Sequence, residues 1–379
     1  MNPIKRFQHR LQKRVEAAFK KKGADPFFSL ETVLRLLSVL YGGVVVIRAR
    51  LYAKGLLKSH RLPCRVVSIG NIVAGGTGKT PMTVFVAGRL RDLGLRVVVV
   101  NRGYRGRMEK TGGVVSDGTT VFKNARDAGD EAYLMARLLK GVPVVVGRDR
   151  YRVGMAAVRR FHPDVIVMDD AFQHLRLKRD LDLVLMDSRS PWANGCLLPR
   201  GPLREPPSCL RRAQAIVLTR STGNGAESSI HPRTRRLPLF HAAHTSVIRY
   251  APRSAGSVPA EERAVAPLLS GRTILAFAGI ADNAQFFSAL EQCCCTVLRR
   301  FAFDDHHRYT DGDVHTLLRT FHDCSADYMV TTLKDFVKLE DNIDPSIIIA
   351  VDVKIDLLGD EDRFSRFLEI ELGLLPPAT

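Results

Sequence analysis

The sequence predicts an α/β protein with two doubly wound α/β/α domains, preceded by an N-terminal helical segment. Short apolar runs rich in Val, Ile and Leu recur along the chain, which is typical of parallel strands buried on both faces. Segments with helical character, such as residues 130–139 and 150–161, lie between most of these runs. With 379 residues, of which 45% are hydrophobic and 25% charged, the chain is long and apolar enough to bury two cores.

The N-terminal segment, residues 1–62, combines an apolar run at residues 30–47 with positive charge. Glu31 and Arg35 make the uncharged part of this run shorter than the roughly 20 residues that span a bilayer. We expect a membrane-associating helix that lies in the interface, although a helix covering the core of the first domain fits equally well. A signal peptide is not expected, since the run lies far from the N-terminus and lacks a small-residue cleavage site. The basic residues around the run are Lys5, Arg6, Arg10, Lys13, Arg14, Lys20, Lys21, Lys22, Arg48, Arg50, Lys54, Lys58, Arg61 and Arg65.

The formal net charge of +18, from 57 Lys and Arg against 39 Asp and Glu, indicates a polyanionic neighbour. Nucleic acid, an anionic membrane surface and a phosphorylated substrate all fit this description. The basic residues concentrate beside the apolar run, and no helix-turn-helix, zinc-finger or RNA-binding signature occurs, so we expect a membrane surface and no nucleic acid. Seven cysteines without a C-x-x-C pair argue against a disulfide framework and a zinc site, and they favour a reducing cytoplasmic compartment.

The first domain is predicted at residues 63–240. Within it, residues 70–81 read G-N-I-V-A-G-G-T-G-K-T-P and lie between a predicted strand and a predicted helix. Such a turn points backbone N–H groups at one anion, Lys79 adds a mobile positive charge for phosphates, and the Thr80 hydroxyl can bind Mg²⁺. The turn predicts a nucleoside triphosphate site of the P-loop type, although Val73 stands where the strict pattern has Gly. The expected nucleotide-binding residues are Val73, Ala74, Gly75, Gly76, Thr77, Gly78, Lys79 and Thr80.

The other elements of this domain follow the same alternation. Strands are predicted at residues 66–69, 96–100, 144–146, 164–168, 181–186 and 215–218, and helices at 82–93, 130–139 and 150–161. Ligands of doubly wound sheets bind outside the carboxyl ends of the strands. The residues that follow each strand are therefore the candidates for the functional site.

Two pairs of carboxylates occur at such positions. Asp169 and Asp170 follow an apolar run, an arrangement in which a strand delivers an Asp beside the P-loop to organise Mg²⁺. Adjacent residues of a strand point to opposite sides, so only one of the two is expected to reach the metal unless the chain turns there. Asp130 and Glu131 begin a predicted helix. They either complement the helix dipole, or Asp130 is a base that accepts a proton from an attacking hydroxyl.

Two loops at strand ends carry arginines. Residues 101–106, N-R-G-Y-R-G, follow the second predicted strand and offer Arg102, Tyr104 and Arg105 to anionic groups or a ring. Residues 197–206, L-L-P-R-G-P-L-R-E-P, form a loop stiffened by proline. Its polar residues are Arg200, Arg204 and Glu205.

The second, smaller α/β domain is predicted at residues 241–379. Residues 303–309, F-D-D-H-H-R-Y, gather titratable groups near a strand end, where metal ligation is one option and an Asp–His relay with a residue of the first domain is favoured. Residues 331–335, T-T-L-K-D, end a strand and offer Lys334 and Asp335. The predicted strands are residues 273–278, 296–301, 328–331 and 347–351, the predicted helices are 283–292, 311–322 and 360–372, and residues 251–263 are expected to form an exposed loop.

These motifs, in this order from residue 70 to residue 335, resemble the tetraacyldisaccharide 4'-kinase family of lipid A biosynthesis. The matching stretches also include G-D-E at residues 129–131, G-R-D-R at 147–150 and D-D-A-F-Q-H at 169–174. The resemblance implies transfer of the γ-phosphoryl group of ATP, with Mg²⁺, to the 4'-hydroxyl of a tetraacylated glucosamine disaccharide 1-phosphate, which gives lipid IVA. It also implies a membrane-associated protein on the cytoplasmic face of the bacterial inner membrane, and it implies no protein partner.

The resemblance assigns roles residue by residue. Lys79, Thr80, Glu131, Asp169 and Asp170 are expected at the phosphates and Mg²⁺. Asp130 is the expected base, supported by His306 across a cleft that the smaller domain closes, so that the pair would form only on closure. Nucleotide, phosphate or substrate contacts are expected from Arg102, Tyr104, Arg150, Arg204 and Glu205.

Several residues depart from the pattern of the family. Arg105 and Ala171 stand where Gly is expected, Leu333 stands where Glu is expected, and the family's F-P-D-H-H reads F-D-D-H-H here. The alternative function is a membrane-bound deviant P-loop ATPase switch without a small-molecule acceptor. Its signature lysine would stand where Ala74 is, which disfavours that class.

Overall fold

The computed structural model describes residues 29–223, 237–252, 263–340 and 342–376, together with Phe19. The basic cluster predicted between Lys5 and Lys22, and residues 253–262 of the predicted loop, lie outside the described residues. The chain forms two compact units of interleaved segments. The first comprises Met1–Lys79, Gly154–Ala243 and Leu357–Thr379, and the second comprises Thr80–Val153 and His244–Asp356. The predicted boundary between residues 240 and 241 stays a prediction.

The described residues form strands and α-helices that alternate along most of the chain. The strands are β1 (Arg65–Asn71), β2 (Val97–Asn101), β3 (Gly113–Ser116), β4 (Val144–Val146), β5 (Val165–Asp169), β6 (Leu181–Asp187), β7 (Ala215–Thr219), β8 (Leu239–Tyr250), β9 (Arg263–Ala264), β10 (Thr273–Ala278), β11 (Thr296–Ala302), β12 (Tyr328–Thr332) and β13 (Ile348–Asp356). The helices are α1 (Leu30–Ala53), α2 (Lys79–Asp92), α3 (Ala125–Ala128), α4 (Asp130–Leu138), α5 (Arg150–Phe161), α6 (Val265–Leu269), α7 (Asn283–Glu291), α8 (Asp311–Cys324), α9 (Leu333–Phe336) and α10 (Glu361–Glu371). This alternation confirms the predicted α/β class.

In the first unit, β1 lies between β5 and β6, β7 pairs with β6, and the start of β8 pairs with β7, all in parallel. Residues of β1, β5, β6 and β7 are almost all buried. Strands covered on both faces need apolar side chains on both faces, which explains why these strands read as continuous Val, Ile and Leu runs. The parallel arrangement brings the carboxyl ends of β1, β5, β6 and β7 to one edge of the sheet.

The second unit contains two groups of strands. In one, β4 pairs with β2 in parallel and with β3 in antiparallel. In the other, β10 lies between β11 and β12, and β12 pairs with β13, again in parallel. The core of this second group consists of buried apolar residues from the strands and from helix α7, including Ile274, Phe287, Leu290, Val330 and Ile349.

Helix α1 packs along one face and exposes the other. Ser29 caps its N-terminus, and the Ser38 hydroxyl donates a 2.7 Å hydrogen bond to the carbonyl of Leu197. A Cβ atom on Gly42 would lie 2.7 Å from a methyl carbon of Leu197, so Gly permits this close approach. Among the described residues, α1 is the one helix whose length and composition would let it cross a membrane. The large apolar side chains that it exposes are Leu30, Val33, Leu36, Leu37, Val39, Leu40, Val44 and Ile47.

Candidate functional site

The glycine-rich turn follows β1 in the first unit and ends at Lys79, the first residue of α2. Gly75 and Gly78 have φ values of 127° and 82°, which are strained for residues with a Cβ atom. The Asn71 side-chain amide donates to the Thr77 hydroxyl at 2.8 Å, and the Ala74 N–H donates to the Pro202 carbonyl at 2.7 Å, so the turn is held at both flanks. A Cβ atom built on Gly75 would meet no atom within 4 Å. The turn therefore has open space beside it and the backbone donors that phosphate oxygens require.

Gly70 explains how the two carboxylates come to lie beside this turn. A Cβ atom at Gly70 would lie 2.5 Å from the Cβ atom of Phe172 and 2.9 Å from its backbone nitrogen. Parallel pairing places Ile69 opposite Asp169, and the Ala171 N–H donates to the Ile69 carbonyl at 3.2 Å. Gly70 therefore lets the D-D-A-F segment pack against the start of the P-loop. Ala171 is fully buried and does not have a positive φ, so Ala is tolerated where the family pattern has Gly.

Asp170 contacts two cationic side chains of the first unit. The chain turns immediately after β5, because Asp170 adopts a left-handed φ of 47°, and this turn separates its side chain from that of the buried Asp169. Nη1 of Arg204 donates to both carboxylate oxygens of Asp170, at 2.8 and 3.0 Å, and Nζ of Lys79 lies 3.9 Å from Oδ1. The structure thus brings together three predicted residues, Lys79, Asp170 and Arg204.

The loop that carries Arg204 is fixed from several sides. The backbone N–H of Arg204 donates to the Ile72 carbonyl at 2.7 Å, and the Tyr41 hydroxyl of helix α1 donates to the Arg204 carbonyl at 3.0 Å. The neighbouring Glu205 is 3% exposed, and its Oε2 accepts a 2.8 Å hydrogen bond from Arg212. The structure therefore gives Glu205 an internal ion-pair partner, and its expected substrate contact stays a prediction.

The sequence analysis missed Arg220, which directly follows β7. Its Nη2 atom donates to the carbonyl of Gly76 in the P-loop at 2.8 Å, and its Nη1 atom donates to Asp187 at the end of β6 at 2.6 Å. Arg220 has a φ of 55°, which turns the chain at the strand end. The rule that ligands bind at the carboxyl ends of parallel strands would have pointed to this residue.

The second unit holds the other half of the predicted residues. Asp130 is the first residue of α4, and its Oδ2 atom lies 3.2 Å from Nδ1 of His306 and 3.3 Å from Nζ of Lys338. Burial raises the pKa of Asp130, but the hydrogen bond with His306 and the charge of Lys338 outweigh burial and hold that pKa below its ordinary value. The sequence places these two residues in different domains that meet on closure. In the structure both belong to one compact unit and are in contact, and the expectation that the pair forms only on closure stays a prediction.

The two adjacent histidines of the F-D-D-H-H segment have different partners. Nε2 of His307 lies 3.1 Å from Oδ2 of Asp313, and the ring of His307 stacks on Phe303 at a centroid distance of 4.6 Å. Asp313 also completes a capping box with Thr310 at the N-terminus of α8. His307 therefore supports the helix, and His306 is the histidine that contacts Asp130.

The R-G-Y-R-G loop packs closely against the turn that begins α4. Added Cβ atoms on Gly106 and Gly129 would lie 2.6 and 2.7 Å from backbone oxygens of the facing segment, so both positions need Gly. Tyr104 is 45% exposed, and the edge of its ring meets His306 at a centroid distance of 5.9 Å. Nε of Arg102 donates to Glu109 at 2.7 Å. The loop thus presents Tyr104 beside the Asp130–His306 pair.

Arg105 occupies a backbone conformation that explains the Gly of the family pattern. Its φ is 61°, in the left-handed region. We expect the variant Arg105→Gly to have a free energy of unfolding about 1 kcal/mol higher than that of Arg105→Ala, since both lack the long side chain and only the alanine keeps the strain. Urea unfolding of the two variants tests this, and an alanine variant at least as stable as the glycine variant would contradict it.

The remaining predicted residues lie on helix starts. Arg150 begins α5 and is 5% exposed, and its Nη1 atom donates to the Arg148 carbonyl at 3.3 Å. Thr80 is the second residue of α2, and Glu131 is the second residue of α4. In the part of the chain that the structure describes, no three His, Cys, Asp or Glu side chains cluster as a metal site. Oxygen ligands such as the carboxylate of Asp170 suit Mg²⁺, which is commonly held by one or two carboxylates together with water and substrate phosphates.

The T-T-L-K-D segment remains polar despite Leu333. The Leu333 side chain is buried, whereas Asp335 is fully buried among donors: its Oδ2 atom accepts from the Gly279 N–H and the Thr332 hydroxyl, both at 2.8 Å. Its Oδ1 atom lies 3.1 Å from Nζ of Lys338. Asp335 therefore fixes Lys338, a second residue that the sequence analysis missed, in its position against Asp130.

Comparison with known proteins agrees with these motifs. The sequence model of the family described as Tetraacyldisaccharide-1-P 4'-kinase matches residues 30–372. A tetraacyldisaccharide 4'-kinase of Desulfatibacillum aliphaticivorans is 42% identical over 332 residues, which cover 87% of this chain and 89% of that protein. A namesake from Geobacter metallireducens is 42% identical over 307 residues, or 81% of this chain and 88% of that protein. The crystal structure of an "apo" form of LpxK from Aquifex aeolicus in complex with ATP is similar at 31% identity and a TM-score of 0.73, covering 91% of this chain and 100% of that chain.

Proposed function

The chain belongs to the tetraacyldisaccharide-1-P 4'-kinase family, and from this membership we propose that it transfers the γ-phosphoryl group of ATP to the 4'-hydroxyl of a tetraacyldisaccharide 1-phosphate, which gives lipid IVA in lipid A biosynthesis. The observation that carries the proposal is the hydrogen-bonded pair of Asp130 and His306. Transfer to an alcohol benefits from a base that receives the hydroxyl proton. A P-loop ATPase switch has no alcohol acceptor, so it does not need a base that deprotonates one.

The P-loop residues Val73 to Thr80 bind the phosphates in this proposal. Lys79 supplies charge, and the N–H groups of Gly75, Gly76 and Gly78 surround the anion. Thr80, Glu131, Asp169 and Asp170 are the proposed ligands of Mg²⁺, which when bound neutralises charge on the phosphates. The contact of Arg204 with both oxygens of Asp170 supports a role for this arginine in orienting that carboxylate.

Asp130 is the proposed base. As the 4'-oxygen forms its bond to the γ-phosphorus and the bond to the leaving ADP breaks, the hydroxyl proton passes to the carboxylate of Asp130. The hydrogen bond from His306 and the charge of Lys338 orient this carboxylate before the reaction. Tyr104, Arg102 and Arg150 are proposed to contact nucleotide or substrate, and the exposure of Tyr104 supports this assignment.

We place the protein at the cytoplasmic face of the bacterial inner membrane through α1. The exposed apolar face of this helix and the basic residues that follow it support binding to an anionic lipid surface. We expect the protein to sediment with anionic vesicles at low salt and less so at high salt, and not to bind DNA. A protein that stays in the supernatant under both conditions would contradict this placement.

The transfer of label from γ-labelled ATP to a tetraacyldisaccharide 1-phosphate in detergent micelles tests the proposed reaction. We expect a labelled lipid product with the natural protein and none with Lys79→Ala, since that variant lacks the charge that holds the phosphates. Lys123→Met, which changes an exposed lysine of the second unit, is the matched control and should retain activity. ATP hydrolysis without a labelled lipid would instead favour the ATPase switch.

A further inference from the structure

Lys334 contacts the ring nitrogen of His306 that does not face Asp130. Its Nζ atom lies 3.2 Å from Nε2 of His306 and 3.0 Å from Oδ1 of Asp305, and the Lys334 side chain is only 18% exposed. A lysine ammonium carries three donors and no acceptor. Nε2 of His306 must therefore accept the hydrogen bond from Lys334 with its lone pair and carry no proton.

The other ring nitrogen then carries the single proton of the neutral imidazole. Nδ1 lies 3.2 Å from Oδ2 of Asp130, a carboxylate that also receives the Lys338 ammonium at 3.3 Å. A carboxylate only accepts, so Nδ1–H must be the donor in this contact. In a protonated imidazole, the Nε2–H would point at the ammonium of Lys334, which cannot accept a hydrogen bond. The nearby carboxylate of Asp305 lies 3.8 Å from Nε2, too far to accept that hydrogen in its place.

We propose that Lys334 is a positioning residue that holds His306 in the Nδ1–H tautomer, with this hydrogen directed at Asp130. The local backbone supports the arrangement. The His306 N–H donates to the Gly279 carbonyl, the Gly279 N–H donates to Asp335, and Lys334 is the second residue of helix α9, which Thr332 caps. Two neighbouring residues of T-T-L-K-D therefore act on His306. Lys334 contacts its ring, and Asp335 holds Gly279, whose carbonyl accepts from the His306 backbone N–H.

The inference rests on the proposed function for its consequence in the reaction. In this tautomer, Nδ1 of His306 already carries a hydrogen and cannot take the proton of the acceptor hydroxyl. Transfer of that proton onward to His306 would create an imidazolium beside the ammonium of Lys334, which like-charge repulsion disfavours. The carboxylate of Asp130 is therefore the group that takes the proton of the acceptor hydroxyl, and His306 donates the hydrogen bond that orients this carboxylate.

The tautomer can be observed directly in the ring nitrogens of His306. We would label the full chain with ¹⁵N in its histidine rings, record long-range ¹H–¹⁵N correlations near pH 8.5, well above the ordinary histidine pKa of about 6.5, and identify His306 by its loss in His306→Ala. We expect a protonated-type shift at Nδ1 and an unprotonated-type shift at Nε2. An Nε2–H pattern in the natural protein would overturn the proposal, and this spectrum decides even if a variant fails to fold.

Two variants of Lys334 test whether this lysine sets the tautomer of His306. Lys334→Met is expected to give Nε2 of His306 a protonated-type shift, because no ammonium then faces that nitrogen. Lys334→Arg, which keeps a cationic donor, is expected to retain the unprotonated-type shift at Nε2. Lys123→Met should leave the spectrum unchanged. An unchanged pattern in Lys334→Met, or the same change in Lys123→Met, would overturn the role of Lys334.

Kinetics provide a second readout that depends on the proposed function. Lys334→Met should lower kcat about 10-fold while the KM for ATP stays within about 2-fold, because the variant alters the base pair and not the P-loop. Equal loss in kcat and ATP binding would contradict a positioning role. Absence of kinase activity in the natural protein would overturn the proposed function and leave the tautomer result standing.

Discussion

Asp130→Asn is expected to lower the kcat of phosphoryl transfer by about 10²- to 10⁴-fold, the range that general acid–base catalysis contributes. The amide oxygen of the variant can still accept the hydrogen bond from His306, and Lys338 keeps its 3.1 Å contact with Asp335, so the local structure should persist. The amide cannot take the proton of the acceptor hydroxyl. The measurement is turnover of a tetraacyldisaccharide 1-phosphate in micelles at saturating ATP.

Asp127→Asn is the matched control for this variant. Asp127 lies in the same turn, three residues before Asp130, and its partner in the structure is Arg107 at 3.6 Å. The control should keep turnover near that of the natural protein. Direct titration of a nucleotide should show ATP binding largely unchanged in Asp130→Asn and in His306→Ala. Near-normal turnover in both of those variants would remove Asp130 from the role of base.

The strands that the sequence predicts well are those buried on both faces. The observed β4 and β10 agree with the predicted runs at both ends, β1, β6 and β7 extend the predicted runs by one or more residues, and β5 is shifted by one residue toward the C-terminus. The sequence analysis did not predict β8, because its polar residues, His241 and His244 among them, interrupt the apolar pattern and eight of its twelve residues are not buried. It also missed β3, which has four residues and begins with Gly113.

Some residues of the candidate site could also be predicted from the sequence, and others could not. Lys79, Asp170 and Asp130 could be predicted because each follows a strand or begins a helix within a recognisable motif, where backbone geometry alone directs the side chain. Lys338 was missed because its role depends on a contact between segments far apart in sequence. Arg220 directly follows β7 but lies in no recognisable motif, and its contact with Gly76 appears only in the fold. No local pattern indicates that Lys338 reaches Asp130. Only the placement of α4 against the segment after α9, which the Tyr133–Glu340 hydrogen bond of 2.6 Å also fixes, brings them together.

The buried ion pair of Glu205 and Arg212 predicts a large effect on stability. The Glu205 side chain is 4% exposed, and Oε2 accepts a 2.8 Å hydrogen bond from Arg212, whose guanidinium also lies 4.5 Å from the ring centroid of Phe172. Arg212→Met is expected to lower the free energy of unfolding by about 3 kcal/mol, because a carboxylate remains buried without its countercharge. Thermal or urea unfolding of the variant measures this loss.

A double-mutant cycle separates the ion pair from the packing of Arg212. Glu205→Gln alone should cost about 1 kcal/mol, since the guanidinium of Arg212 is 25% exposed and can be hydrated. The double variant Glu205→Gln with Arg212→Met should lose less stability than the sum of the two single variants, because it leaves no buried charge unpaired. Strict additivity would show that Glu205 gains nothing from Arg212. Its burial would then require another partner, and the contact with substrate expected from the sequence would become the stronger explanation for a carboxylate at this position.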